Sequence, residues 1–189
     1  MKIKHTGKIL DYANYASHSK QYIETGTCTG NSIQRAIDAG FELFRSVELS
    51  DQYYIESTQR FYGNPDVLIY KGNSVDMLPQ MIIGLDAKAV FFLDAHPAGP
   101  GTAGHNEFVD GDGRYGQDAV ITKELEIILA HRNDHVIIID DQNGENKYNK
   151  EYIKTCLKAN PNYTFEFWDE NLSGDPEYYY KSKILVCMP

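Results

Sequence analysis

Gln21-Tyr22-Ile23-Glu24 runs directly into Thr25-Gly26-Thr27-Cys28-Thr29-Gly30-Asn31-Ser32, and this stretch decides the fold. The first four residues read as a short strand. The segment from Asn31 to Ala39 reads as a helix, with Ile33, Ala36 and Ile37 on one face. Between them Gly26 can take a positive φ and lets a ligand approach the backbone, while Gly30 lets the helix begin close to the sheet. A helix N-terminus placed there favours a carboxylate or phosphate. Gly-x-x-x-Gly alone also fits an ordinary strand-to-helix turn, so the flanking chain has to decide.

Working outward, strand and helix patterns alternate. Leu43 to Leu49 reads as a strand, and a helix over Asp51 to Tyr62 aligns Tyr54, Thr58 and Phe61. Val67 to Tyr70 is the next strand, and Gly72-Asn73-Ser74 opens a helix expected to turn Val75, Leu78 and Ile82 inward. Ala89 to Leu93 and His135 to Ile139 are continuous apolar runs of the kind buried on both faces of a sheet. Ile121, Leu125, Ile128 and Leu129 mark one later helix, and Tyr152, Ile153, Cys156 and Leu157 another. Tyr163 to Trp168 and Lys183 to Met188 suit an antiparallel pair. This order predicts a doubly wound α/β sheet, mostly parallel, with helices on both faces. One domain over 1–189 is expected, with residues 1–20 as a polar leader and 95–118 as a long glycine-rich loop at the functional edge.

Composition narrows the function. The chain of 189 residues has 18 basic against 27 acidic residues, a formal charge of −9, and no basic run that would track a phosphate backbone. A small molecule is therefore the expected partner rather than nucleic acid, and a homodimer stays open. No apolar run is long enough for a membrane span, and no apolar stretch follows the early lysines as a secretory signal would require. Three widely spaced cysteines favour a reducing, cytoplasmic setting.

Ligands of such sheets bind beyond the carboxyl ends of the strands, near the point where strand order reverses. Polar residues sit at each of those ends. Glu48, 22 residues after Gly26, can accept both hydroxyls of a ribose. Its alternative is an exposed acid beside the cap residues Ser50 and Asp51. Ser74 is either a contact to a base edge or an N-cap. Asp94, Asp140 and Asp141 have no Lys or Arg within two residues in the chain. Carboxylates converging without a cation repel one another or take a metal, and an all-oxygen set suits Mg²⁺ or Ca²⁺. A turn or cap at Asp140-Asp141 is the plain alternative.

Taken together, Glu24-x-Gly26-x-x-x-Gly30-x-Ser32, Glu48, Gly72-Asn73-Ser74 and Asp94 resemble the class I S-adenosylmethionine-dependent methyltransferases. Within that superfamily the pattern is most similar to the catechol-type O-methyltransferases, over roughly residues 20–145. The resemblance implies a Rossmann-like, seven-stranded sheet with an antiparallel C-terminal strand, and S-adenosylmethionine as cofactor. It implies that Glu24, Gly26, Thr27, Gly30, Ser32, Glu48, Ser74 and Asp94 line the cofactor. Gly26 and Ser32 would hold the methionine part, Glu48 the ribose and Ser74 the adenine. Asp94, Asp140 and Asp141 would match the metal ligands, and the reaction would be O-methylation of a small hydroxyl-bearing acceptor. The chain departs from the pattern at Pro97, where catechol-type enzymes carry a lysine base. His96 is the nearest replacement, acting beside Asp94 as the catalytic pair.

Two other functions compete. Thr25-Gly26-x-x-x-Gly30-x-Ser32 is close to the turn of NAD(P)-binding short-chain reductases, and Tyr179-x-x-x-Lys183 imitates their catalytic pair, although the third glycine is absent. A cofactor-binding protein of the same fold without turnover is the other. His131 and His135 stand four apart, but the second begins a strand, so no shared helical face and no zinc site is expected.

Overall fold

A computed structural model describes residues 3–95, 117–140, 142, 149–169 and 183–189. It contains one sheet of eight strands in the order β1-β7-β8-β6-β5-β2-β3-β4. These are β1 (Lys4–Ile9), β2 (Gln21–Thr25), β3 (Leu43–Glu48), β4 (Val67–Lys71), β5 (Val90–Leu93), β6 (Val136–Ile139), β7 (Thr164–Asp169) and β8 (Lys183–Met188). Only β8 runs against its neighbours, pairing antiparallel with both β6 and β7. The helices are α1 (Ala13–Ala16), α2 (Asn31–Asp38), α3 (Asp51–Arg60), α4 (Ser74–Met81), α5 (Gln117–His131) and α6 (Asn149–Ala159). None of the described helices is long and apolar enough to cross a membrane.

Alternation along the central strands builds two cores, one on each face. Tyr22, Phe44, Val90, Phe92, Val136 and Ile138 face one side, with Ile33 and Ala36 of α2. Ile23, Val47, Phe91, Leu93, Ile137 and Ile139 face the other, with residues of α4, α5 and α6. β5 and β6 are buried along their whole length, as their unbroken apolar runs require. Truncating one such residue, Phe91 or Ile137, to alanine should cost about 2–5 kcal/mol.

The sheet differs from the expected seven strands by β1, which lies in the supposed leader. β1 is a parallel edge strand on β7, with Lys4 opposite Glu166 and His5 opposite Phe167. Its side chains are almost all exposed. Leu10, Tyr12, Tyr15 and Ala16, just after it, are buried. The expected helix faces are kept in part: Phe61, just after α3, and Leu78 in α4 are buried, and Ile82 packs partly buried against the core. In α3 the buried residue is Ser57, whose hydroxyl donates to the Tyr53 carbonyl at 2.7 Å. In α4 the buried residues are Ser74, Leu78 and Met81 rather than Val75 and Ile82. Both helices turn a small polar side chain inward, which the search for apolar spacing misses.

The chain passes from β2 outward to β3 and β4, then returns to β5 on the other side of β2. Strand order therefore reverses between β2 and β5, and their carboxyl ends open the crevice where such sheets bind ligands.

Candidate functional site

Glu24 and Thr25 close β2 with side chains on opposite faces, and both are fully buried. Glu24 Oε2 accepts from the Ser46 hydroxyl at 2.7 Å, and Oε1 from the Tyr22 phenol at 3.2 Å. Thr27 and Ser46 hydroxyls lie 2.6 Å apart. Since Ser46 gives its only proton to Glu24, Thr27 donates to Ser46. Burial pushes the Glu24 carboxyl up to about 8, against the lowering effect of hydrogen bonds from Ser32 and Ser46, and the charge of Asp94 adds to the rise. Of the residues expected to line a cofactor, Glu24 and Thr27 are thus joined through Ser46 in one network beneath the turn, with Ser32 buried nearby and favouring the ionised Glu24.

Gly26 and Gly30 both have positive φ, +86° and +79°. A Cβ on Gly26 would stand 2.4 Å from the Asp94 carbonyl oxygen, so its lack of a side chain lets β2 and β5 meet. A Cβ on Gly30 would meet the Phe61 ring at 2.5 Å, so this glycine serves the packing of α2 against α3. The backbone of Asp94 donates to the Thr25 carbonyl at 3.0 Å, and that of Asp140 to the Leu93 carbonyl at 3.1 Å. Asp94 and Asp140 therefore stand at adjacent strand ends, as the sequence predicts.

Glu48, at the end of β3, is nearly buried and grips the turn. Its Oε2 accepts the Cys28 N–H and its Oε1 the Ser50 N–H, each at 2.7 Å. The first bond holds Cys28 at φ +48°, a conformation rare for a residue with a side chain. Each carboxylate oxygen keeps a second lone pair for a ligand hydroxyl. Glu48 is therefore no stray exposed acid, and Ser50 caps α3 by accepting from Tyr53 N–H at 3.4 Å.

Ser74 is not the cap of α4. Asn73 is, its Oδ1 accepting the Val75 N–H at 3.0 Å. Ser74 is left facing inward, where it is buried and its hydroxyl helps to favour the ionised form of the Glu124 carboxyl. Glu124, on α5, is a group that sequence reasoning missed. It is fully buried, its Oε2 accepts from the Thr25 hydroxyl at 3.3 Å, and burial pushes its carboxyl up to about 7. The signal was available. Ile121, Leu125 and Ile128 define an inward helical face, and Glu124 falls on it three residues after Ile121.

His96, Asp141, Pro97 and Tyr179 lie outside the described residues, as does most of the 95–118 segment. Among the described residues no group of three or more His, Cys, Asp or Glu could hold a metal ion. His131, the last residue of α5, and His135, just before β6, share no helical face, yet their rings meet at the amino end of the central strands. Their rings stack at 5.5 Å and their nitrogens lie 3.2 Å apart. His135 Nδ1 accepts the Ala89 N–H at 3.0 Å, so its proton sits on Nε2 and points to His131.

No family model matches the chain, and neither does any curated protein. Solved structures do match. An O-methyltransferase from Bacillus cereus in complex with S-adenosylhomocysteine superposes with a TM-score of 0.55 at 16% identity, over 94% of this chain and 79% of that one. The methyltransferase domain of bacterial CtHen1-C gives 0.58 at 13%, over 94% and 93%. Fibrillarin from Aeropyrum pernix, with natively bound S-adenosyl-L-methionine, gives 0.53 at 11%, over 89% and 66%. At these identities the likeness is one of fold. The chain has the Rossmann-like methyltransferase fold, and its β8 lies antiparallel where a dinucleotide-binding sheet continues parallel.

Proposed function

We propose that this chain is an S-adenosylmethionine-dependent methyltransferase of class I, acting on an oxygen of a small hydroxyl-bearing acceptor. One observation carries the reading: Glu48 ends β3 beside a positive-φ turn at the switch point, gripping that turn while keeping lone pairs free for a ribose. Glu24, bonded by the Ser46 hydroxyl beneath the turn, is a buried carboxyl that the cationic end of the cofactor would favour in its ionised form on binding. Ser74 stands at the start of α4 as the contact to the base. The acidic chain argues for a small acceptor over nucleic acid, and the thiols of Cys28, Cys156 and Cys187, all free, accord with a cytoplasmic protein.

A divalent cation fits the donor chemistry of the same edge. Asp94 and Asp140 are oxygen donors at adjacent strand ends, and Asp141 would complete the set. Such an ion, Mg²⁺ or Ca²⁺, would lower the pKa of an acceptor hydroxyl. His96 would receive the proton in place of the missing lysine.

The test is calorimetry of the full chain with S-adenosylhomocysteine and with NADH, followed by transfer of labelled methyl to a panel of catechols and other phenols. Binding of S-adenosylhomocysteine at micromolar order, with no binding of NADH, is expected. The reverse preference would overturn the reading. Labelled transfer should stop in EDTA and return with Mg²⁺, and full activity in EDTA would remove the metal. Cofactor binding with no transfer to any acceptor would leave a binding protein of this fold.

A further inference from the structure

The turn between β2 and α2 is held from α3 as well as from β3. On the β3 side, Glu48 grips the Cys28 N–H, and the N–H groups of Gly26 and Thr27 both donate to the Val47 carbonyl, at 3.0 and 3.2 Å. Beyond Cys28 the chain passes through Gly30, the N-cap of α2, at φ +79°. A glycine has more backbone freedom than any other residue, so Gly30 is the point at which the turn and α2 would hinge apart.

Arg60, in the last turn of α3, spans that hinge. Its Nη1 donates to the Thr29 carbonyl at 2.8 Å and to Asn31 Oδ1 at 2.7 Å, one bond on each side of Gly30. The Phe61 ring fills the space where a Gly30 side chain would stand, and the Arg60 guanidinium lies 5.4 Å from the centre of that ring. The end of α3 thus fixes the hinge twice, with the ring packed on the glycine and the cation bridging its neighbours.

What the bridge sets is the direction of the first N–H groups of α2. A helix leaves these without partners of its own, and they suit a carboxylate. We propose that Arg60 is a positioning residue: by tying Thr29 to Asn31 it fixes the start of α2 to receive the carboxylate at the amino-acid end of the cofactor, without touching the cofactor itself. This rests on the methyltransferase reading for the presence of that carboxylate. Both groups that Arg60 bonds are neutral, so the bonds act on the geometry of the turn. Holding a loop in its ligand-ready form raises affinity by removing the cost of ordering it on binding. A single nitrogen makes both bonds with its two hydrogens, and a lysine ammonium, with three, can stand in for it.

The experiment is calorimetric titration of the full chain with S-adenosylhomocysteine and, in competition with it, adenosine, which lacks the amino-acid end. It is run on wild type, Arg60→Ala, Arg60→Lys and Asn31→Ala. In Arg60→Ala the affinity for S-adenosylhomocysteine should fall about three- to tenfold, the scale of a net hydrogen bond, while that for adenosine stays within about twofold. Arg60→Lys should recover most of the loss. Asn31→Ala leaves the charge of Arg60 in place and removes one anchor of the bridge, so it should reproduce part of the loss, about twofold or more. Unchanged affinity for S-adenosylhomocysteine in Arg60→Ala overturns the proposal alone. So does a loss that adenosine shares equally, that Asn31→Ala does not reproduce, or that lysine does not recover. No binding of S-adenosylhomocysteine by wild type overturns it together with the methyltransferase reading.

Discussion

Glu24 and Glu124 approach the carboxyl end of β2 from opposite faces of the sheet, each buried and each facing hydroxyl groups rather than cations. Between them Gly26 presses on the Asp94 carbonyl. Gly26→Ala should therefore destabilise the protein by about 2 kcal/mol or more, because a positive φ and a backbone collision add. Urea denaturation at constant m-value measures this, and a loss under about 0.5 kcal/mol would show that β2 and β5 separate freely. Glu48 has a double role, so its replacement should be felt twice. Glu48→Ala strands the Cys28 and Ser50 N–H groups and removes the ribose acceptor. Stability and affinity for S-adenosylhomocysteine should each fall by about 1–3 kcal/mol. Calorimetry showing unchanged affinity would remove the ribose assignment.

The elements differ in how far the sequence announced them. β2, β3, β5 and β6, with the antiparallel β7 and β8, were legible because a strand buried on both faces must be written in apolar residues. The strand-end groups Glu48, Asp94 and Asp140 were legible for a related reason: an abrupt polar residue marks where the buried run stops. β1 was hidden because its tie to β7 is made by backbone groups, and its exposed side chains read as a solvated tail. Glu124 was hidden by its charge, since a carboxylate inside a helix pattern is ordinarily assigned to the solvent face. Ser57 was passed over because its inward burial is satisfied by hydrogen bonds rather than by apolar contact. The β1–α1 segment carries a sharp contrast for mutation. Ile9→Ala, on a side chain 43% exposed, should change stability by no more than about 0.5 kcal/mol. Tyr15→Ala, at 4% exposed, should cost about 3 kcal/mol. Thermal denaturation of the two variants distinguishes a docked segment from a loose leader, for which both would be silent.

For the whole molecule, the buried titratable groups set opposite pH trends. Glu24 and Glu124 hold their protons to about 8 and about 7 in the fold. They favour folding in acid, and that contribution is lost as pH rises through those values. His135 is pushed down to about 4 by burial and by the neighbouring His131, so its contribution is present above about 6.5 and lost as pH falls toward 4. Among the described residues, the two carboxyls are what then shifts the balance between pH 6.5 and 8. Stability should decline there by on the order of 1 kcal/mol per pH unit for each carboxyl still protonated. Glu24→Gln and Glu124→Gln should flatten the decline, and a wild-type curve already flat would show both acids ionised in the native state. The two ends of the sheet invite a different kind of comparison. β1 carries Lys4 and Lys8, and its register slips between His5 and Ile9, where Gly7 takes φ +61°. Such an edge is a poor template for another strand. β4 at the far edge pairs in unbroken register from Val67 to Lys71 and shows Leu68 half exposed. The sheet thus has a sealed end and an open one, and on heating or concentration the molecules should stick to each other through β4, a tendency that Leu68→Lys would suppress in a light-scattering assay.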